Sequence, residues 1–568
     1  MSKQRLLFLA LTLIVGVISA LGTIALVEAI KAATYLFFYR ESGALHALPW
    51  WQLLLAPVAG GLLVGLLLRA FPMIGRYHGV SDVMEAAAMR GGALDVRTGA
   101  VSAIATVLSL GSGASLGREG PAIHLCATVS AWLAKYLKFS PGDSLVLLGC
   151  GAAAAVTASF NAPIAGVLFA LEVIVGYYSL RVLTPTVIST IAAVIVTRQI
   201  LGDSPAFSLP DYAINSWWEM PAFALLGVVS GLIALALIYC VRGTQILWAR
   251  TSLPIWMRPM VAGLIIGLVA IQFPLVLGVG YEATDMALRG SLPVFLLFAM
   301  CAAKVFATGV CLGSGFAGGV FSPALFIGAM LGGSFWWGAV QFYPDLASAQ
   351  GVYSVVGMAG VASALLGAPI STLLIIFELT ADYQLVVAVM LAAAIASTVM
   401  QQSPHSSFFR WQLQQRGINL NRGRNQSLLM TTKVETIVSS SFSRVDASVS
   451  LREARSQMVG DGVAVVLAFE SEQFIGSATL GRLSSNKVQD DPETDVVPHL
   501  LASSFAITRQ TSLNGAMALM DQYQIDCVPV IDPEGGSAGP YGVVYRGDVL
   551  RAYNDALRAA RDEEYGVN

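Results

Sequence analysis

Charge is what this chain has least of. Only 12% of its 568 residues are Asp, Glu, Lys or Arg, about half the share found in soluble domains, and no Lys or Arg lies between Lys304 and Arg410. A water-soluble fold along the whole length is thereby excluded. The formal net charge is -2, with no basic patch interleaved with aromatics, so nucleic acid is not an expected partner. Enzymatic signatures are missing as well: there is no HExxH, no Walker loop and no CxxC pair. GASLG (113–117) and GSGFAG (313–318) fit the serine-hydrolase and dinucleotide patterns, yet neither follows a strand-forming run, which the mechanism of each requires. The six cysteines, Cys126, Cys150, Cys240, Cys301, Cys311 and Cys527, stand singly without metal-ligand spacing, and read as buried small hydrophobes rather than metal ligands.

What is present instead is apolar sequence, 56% of the whole, in stretches that recur from residue 6 to about residue 400. The opening, MSKQRLLFLALTLIVGVISALGTIALVE, has the basic end and apolar run of a signal peptide, but it stays uncharged from Leu6 to Val27. That is long enough to span a bilayer. It reads as a retained first helix, with Lys3 and Arg5 holding the N-terminus in the cytoplasm. Other stretches, such as 99–110 and 122–138, are too short to cross a hydrocarbon core of about 30 Å. Short, glycine-interrupted segments persist in a bilayer only when buried in protein or lining a cavity.

A duplication runs through this region. GSGASLGREGP (111–121) and GSGFAGGVFSP (313–323) share G, S, G, a further glycine and a terminal proline at the same offsets. A second pair, AAAVTASFNAPIAGVLFALEV (153–173) and AGVASALLGAPISTLLIIFEL (359–379), shares API, Leu168 with Leu374 and Glu172 with Glu378. Repeats of this kind commonly pack as inverted pairs around a midplane site. In the first motif Glu119 is an ionisable group inside membrane sequence, which is a functional candidate by default. Helix N-termini present unpaired N–H groups and partial positive charge, so two such loops facing each other make an anion site. Glu119, as a tethered anion, can occupy that site and leave it when protonated or displaced. An ion pair with Arg118 is the bland alternative, disfavoured because adjacent helical residues do not face each other. Glu172 and Glu378 read as helix-end hydrogen-bonding groups, with a proton or ion role for Glu172 as the alternative.

From about residue 430 the pattern becomes short β-rich runs with the helical stretches Ser450 to Asp461 and Ser512 to Tyr523. One such αβ unit cannot bury its sheet alone, so the two are expected to pair.

Over roughly residues 5 to 412 the chain resembles the CLC chloride channel and transporter family: GREGP and GGVFSP look like two of its pore motifs, and the API repeats like its pore-flanking helices. The C-terminal units resemble a tandem CBS domain. The resemblance implies an all-α polytopic membrane fold with an inverted internal repeat and re-entrant helices over residues 1–425. It also implies a cytoplasmic α/β tandem CBS domain over 430–566, with repeats at about 430–485 and 496–566. Further implications are a homodimer with one pore per subunit, a bacterial inner membrane location, Glu119 as gate, and an anion site that uses the N–H groups of Val320 and Phe321 beside Arg118 and Gly120.

Three positions depart from the family pattern. Val173 follows Glu172 where proton-coupled exchangers often carry a second glutamate. YHGVS (77–81) stands for a GSGIP motif, so His78 and Gly79 replace a serine-bearing loop; a satisfied polar side chain and a titrating group are both open for His78. Phe409 stands where a tyrosine hydroxyl usually completes the central site, and either packs in the core or lines the vestibule. Fewer donors hold an anion less tightly, since each is worth about 1.5 to 3 kcal/mol. The expected function is a passive, gated chloride channel modulated by the CBS pair, with no required cofactor. A proton-coupled chloride exchanger is the alternative, and a nucleotide sensor with a membrane anchor a further one. Asp548 in YRGDVL is either a ribose-binding acid for an adenine nucleotide or a helix-capping residue.

Overall fold

The computed structural model describes residues 3–38, 48–72, 75–203, 207, 214–342, 344–380, 383–418, 432–471, 473–484, 495–502, 505–531 and 540–565. The chain divides into two compact units, Met1–Asn419 and Leu420–Asn568. The expected boundary at 425–430 lies outside the described residues.

The first unit is helical. Its first half runs α1 (Lys3–Phe38), α2 (Trp50–Ala70), α3 (Val80–Met89), α4 (Val96–Gly111), α5 (Glu119–Tyr136), α6 (Pro141–Phe160), α7 (Pro163–Phe169, continued by a π-helical turn Ala170–Val175) and α8 (Leu180–Leu201). The second half repeats the series as α9 (Met220–Ala249), α10 (Arg258–Gln272), α11 (Tyr281–Leu288), α12 (Val294–Ser314), α13 (Phe321–Phe342), α14 (Gln350–Leu366), α15 (Pro369–Thr380) and α16 (Tyr383–Gln402). A short α17 (Phe408–Gln414) follows. Among the described residues nine helices are long and apolar enough to cross a membrane, and four apolar helices, including α4 and α14, have 10–17 residues. The first helix runs 11 residues beyond the uncharged stretch that ends at Val27. Glu28 and Lys31 pair one turn apart at 2.8 Å, so these charges do not end it.

The two halves contact each other reciprocally. Equivalent helices pack together, α2 on α10, α5 on α13 and α7 on α15. A Cβ at Gly61 would lie 2.2 Å from the Pro259 carbonyl oxygen, and one at Gly263 would lie 2.2 Å from that of Pro57. Glu172 accepts from the N–H groups of Ile370 (3.2 Å) and Ser371 (2.8 Å) at the start of α15. Glu378 in turn accepts from Ile164 (2.9 Å) and Ala165 (2.8 Å) at the start of α7. Residue i of one half meeting j of the other, and j meeting i, is the signature of two-fold pairing. Both glutamates are thus helix-terminus acceptors, each satisfying two of the orphan donors that any helix start leaves.

The second unit repeats a β-α-β-β-α pattern. In its first half β1 (Ser443–Asp446) pairs parallel with β2 (Val465–Glu470), which pairs antiparallel with β3 (Gln473–Thr479); α18 (Leu451–Asp461) and α19 (Leu480–Leu483) complete it. A short β4 (Leu501–Ala502) extends that sheet. In the second half β5 (Ile507–Thr508) pairs parallel with β6 (Cys527–Ile531) and β6 antiparallel with β7 (Gly542–Tyr545), with α20 (Leu513–Tyr523) and α21 (Arg546–Tyr565). Ser450 and Ser512 cap α18 and α20 by accepting from the N–H groups of Glu453 and Gly515. Val465, Leu467 and Phe469 of the first half share one apolar cluster with Cys527 and Val543 of the second, which buries faces neither could cover alone.

Candidate functional site

The two glycine-rich motifs meet inside the first unit. Gly117 N–H donates to the Gly319 carbonyl and Gly319 N–H to the Gly117 carbonyl, both at 2.7 Å. This two-residue antiparallel bridge joins the halves at equivalent positions. The approach is possible because side chains are absent: a Cβ on Gly319 would sit 3.1 Å from the Gly120 nitrogen, and one on Gly318 2.6 Å from the Leu116 Cβ. Both α5 and α13 begin two residues past their bridging glycine, with Pro121 and Pro323 in the first turn. Two positive helix ends therefore converge on one buried locus.

Cavities lie against the bridged loops. The larger, about 420 Å³, is lined by His78, Gly79, Gly120, Gly319, Val320, Phe321, Phe408 and Phe409. Arg76, Arg258 and Arg416 also line it, and Asp82 is the one acid among its lining residues. That excess of cations favours an anion at its mouth. The smaller, about 180 Å³, is lined by Arg118, Tyr281, Lys31, Gly278 and neighbours. Glu119 is fully buried, and its chain neighbours face different cavities, Gly120 the larger and Arg118 the smaller. Its Oε1 accepts from the Tyr281 hydroxyl at 2.7 Å, while Oε2 has no hydrogen-bond partner among the described residues.

The expected site residues do not all meet at one cavity. Arg118 is away from the larger cavity: its guanidinium lies 4.9 Å from the centre of the Tyr281 ring, and its Nε is 3.8 Å from Glu119 Oε1. The argument against an Arg118–Glu119 approach fails because Arg118 is the residue before α5, outside the helix whose geometry was assumed. Gly79 lines the larger cavity, but its N–H is committed to Asp82 Oδ2 at 2.8 Å, so it does not face an anion. His78 Nδ1 lies 3.0 Å from Asp82 Oδ1, and its ring centre is 5.7 Å from that of His124. Ser81 also lines the larger cavity, and its hydroxyl accepts from Arg416 at 2.9 Å. Phe409 lines the larger cavity beside Phe408 and brings no hydroxyl there. Val173 is buried in the π-helical turn after α7. In the second unit Asp548 is the third residue of α21, 3.6 Å from Arg551, rather than its cap.

Residues the sequence left unmarked complete the picture. Tyr281 holds Glu119, and Lys304, fully buried, donates from Nζ to the carbonyls of Val276 and Gly278 at 2.9 Å each. Lys304 did carry a signal, being the last cation before a long run without Lys or Arg. Tyr281 carried none beyond following Gly280, the counterpart of Gly79 as the residue before a short helix.

Residues 60–401 match the family model described as voltage gated chloride channel. The chain belongs to this family, the CLC proteins. Residues 495–555 match the CBS domain model. Among curated relatives, a putative chloride channel protein ClcB-like from Ralstonia nicotianae is 36% identical, over 68% of this chain and 91% of its own length. A voltage-gated ClC-type chloride channel ClcB from Escherichia coli is 32% identical, over 71% and 97%. Among solved structures, a slow cyanobacterial Cl-/H+ antiporter covers 72% of this CLC chain and 97% of its own, with TM-score 0.65 and 21% identity. A eukaryotic CLC transporter covers 96% and 99%, with TM-score 0.61 and 19% identity. The CLC chain is thus a transmembrane chloride channel or transporter and not an enzyme, built as a helical membrane unit with a small α/β unit at its C-terminal end.

Proposed function

We propose that this CLC chain is a passive chloride channel, gated by Glu119 and lacking strict exchange of chloride for protons. The observation that carries the reading is the chemistry around Val173. A valine relays no proton, and the neighbouring Glu172 is committed as an acceptor to Ile370 and Ser371. Phe409 adds to it, since a phenyl ring supplies no hydroxyl to a central anion. The N–H groups of Val320 and Phe321 at the start of α13 are the anion donors in this reading. The protein works as a homodimer in a bacterial inner membrane, with its N-terminus and CBS unit cytoplasmic.

Proton-coupled exchange is the second reading, favoured by one arrangement. His124, buried on α5, lies beside His78, which contacts Asp82 at the larger cavity. That column of titratable groups does not depend on position 173.

The two readings separate in liposomes holding purified protein, with chloride and proton gradients imposed independently. The expected result is chloride flux whose reversal potential ignores the proton gradient. Protons driven uphill by chloride would establish the exchanger. In the same assay Glu119→Gln is expected to raise flux at neutral pH and flatten its pH dependence; an unchanged profile would remove Glu119 as gate.

A further inference from the structure

We propose that the hydroxyls of Tyr281 and Ser322 are chloride ligands and set anion selectivity at the position that the Glu119 carboxylate fills in this structure. The proposal rests on the reading of Glu119 as gate and adds two specificity-determining residues to it. A gating carboxylate stands in for the anion it excludes, so the groups around it are those a free anion would meet. Glu119 Oε1 accepts from the Tyr281 hydroxyl at 2.7 Å, across 162 residues of sequence. Oε2 lies by the start of α13: a Cβ built on Gly117 would be 2.9 Å from Oε2 and 3.0 Å from the Ser322 nitrogen. A carboxylate carried by α5 thus sits among groups from α11 and α13, two elements of the other half.

Ser322 is an independent sign of a ligand. It is 1% exposed, its side chain comes near the Tyr281 hydroxyl, and its Oγ has no hydrogen-bond partner among the described residues. Serines deeper in the membrane helices donate to the carbonyl four residues back, as Ser334 does to Met330 and Ser159 to Ala155. Ser322 is the second residue of α13 and has no helical carbonyl behind it. Its hydroxyl is left to donate elsewhere, and buried hydroxyls without a partner are rare in native interiors. A chloride accepting from it satisfies it. Tyr281, for its part, is fixed before any anion arrives. The loop before it is tied down by Lys304 to the carbonyls of Val276 and Gly278, by Ser115 Oγ to Val276 at 2.9 Å, and by Gly278 N–H to Gly113 at 3.1 Å. Its ring lies between Arg118 and the edge of Phe207, with ring centres 5.1 Å apart in the second contact. Donors held in place this way need no ordering when the anion binds. They also favour chloride over thiocyanate, because chloride loses more hydration on burial and needs direct donors in exchange.

The test is titration calorimetry of the full chain in detergent at neutral pH, with chloride and then thiocyanate as the probe. Glu119→Ala removes the tethered competitor and is expected to bind chloride more tightly than the parent. In that background Tyr281→Phe keeps the ring against Arg118 and Phe207 while losing the donor, and Ser322→Ala loses a hydroxyl that bonds no described residue. One hydrogen bond to a charged acceptor corresponds to about tenfold in affinity. Each substitution is therefore expected to weaken chloride about tenfold, to weaken thiocyanate much less, and to leave the melting temperature of the anion-free protein unchanged. Chloride affinity unmoved by both substitutions, or an equal loss for the two anions, overturns the assignment of the hydroxyls. Glu119→Ala binding chloride no better than the parent would instead sink the gate reading on which the assignment depends.

Discussion

Four buried or half-buried carboxylates show how the residue scale separates structure from function. Glu219 accepts from Ser348 N–H (2.9 Å), Ser348 Oγ (2.6 Å) and the Tyr353 hydroxyl (2.8 Å). Glu172 and Glu378 each accept from two successive backbone N–H groups. Glu119, the most deeply buried with Glu219, accepts from one phenol and leaves an oxygen unpaired among the described residues. Native interiors satisfy nearly all buried polar atoms, so the orphaned carboxylate oxygen sets Glu119 apart from the other three acids. Lys304 poses the opposite question, a buried cation with no carboxylate at ion-pair distance among the described residues. Its partners are two carbonyls and the Phe326 ring, 4.8 Å from Nζ to the ring centre. Replacing it by methionine has two opposed effects. Orphaning the carbonyls costs about 1 to 3 kcal/mol, and removing a buried cation returns several kcal/mol of desolvation. Lys304→Met is therefore expected to melt within a few degrees of the parent in detergent while weakening chloride binding in the Glu119→Ala background, because the loop before Tyr281 loses its anchor. A large drop in melting temperature with unchanged chloride binding would make Lys304 purely structural.

At the scale of elements, the fold rests on helices that touch backbone to backbone. The α2–α10 contact is the clearest case, because Gly61 and Gly263 each sit where a Cβ would reach a carbonyl oxygen at 2.2 Å. Carbonyls cannot rotate away as side chains do, so Gly61→Ala or Gly263→Ala must push the helices apart and is expected to abolish recovery of folded protein. Gly243 in α9 meets nothing within 4 Å, and Gly243→Ala is expected to stabilise by about 0.5 to 1 kcal/mol. Comparing the folded yield of the three variants, and the melting temperature of Gly243→Ala with that of the parent, checks the contrast. Much of this architecture was legible in the sequence because it is written twice: the motifs at 111–121 and 313–323, and the API segments, fall on equivalent elements that then meet. The apolar runs located the helices for the same reason, that spanning a bilayer demands length and composition. The site was legible only where its chemistry is local. Glu119 and the glycines declare themselves within a pentapeptide, whereas the Tyr281 contact joins positions 162 apart and leaves no periodic trace. The approach of Arg118 to Glu119 was missed because helix spacing was applied to a residue that precedes the helix.

Over the whole molecule the two units differ in the chemistry they can offer. The membrane unit gathers Arg76, Arg258 and Arg416 at the larger cavity. The second unit is ordinary α/β sequence with paired β-α-β-β-α halves and a shared apolar cluster. Two roles are open to a unit of that kind, binding a ligand or packing. Asp548 distinguishes these. It lies in the first turn of α21, one-third exposed and beside Arg551, where a carboxylate and helix N–H groups could receive a ribose and a phosphate. The alternative is that this acid only complements the helix dipole, worth some tenths of a kcal/mol. Titration calorimetry of the full chain with ATP, ADP and AMP decides between them. Binding that Asp548→Ala weakens tenfold or more, with the melting temperature of the empty protein unchanged, is the expected result. Heat absent for all three nucleotides would leave the unit as a packing element, and regulation of the pore would have to be sought in the membrane unit alone.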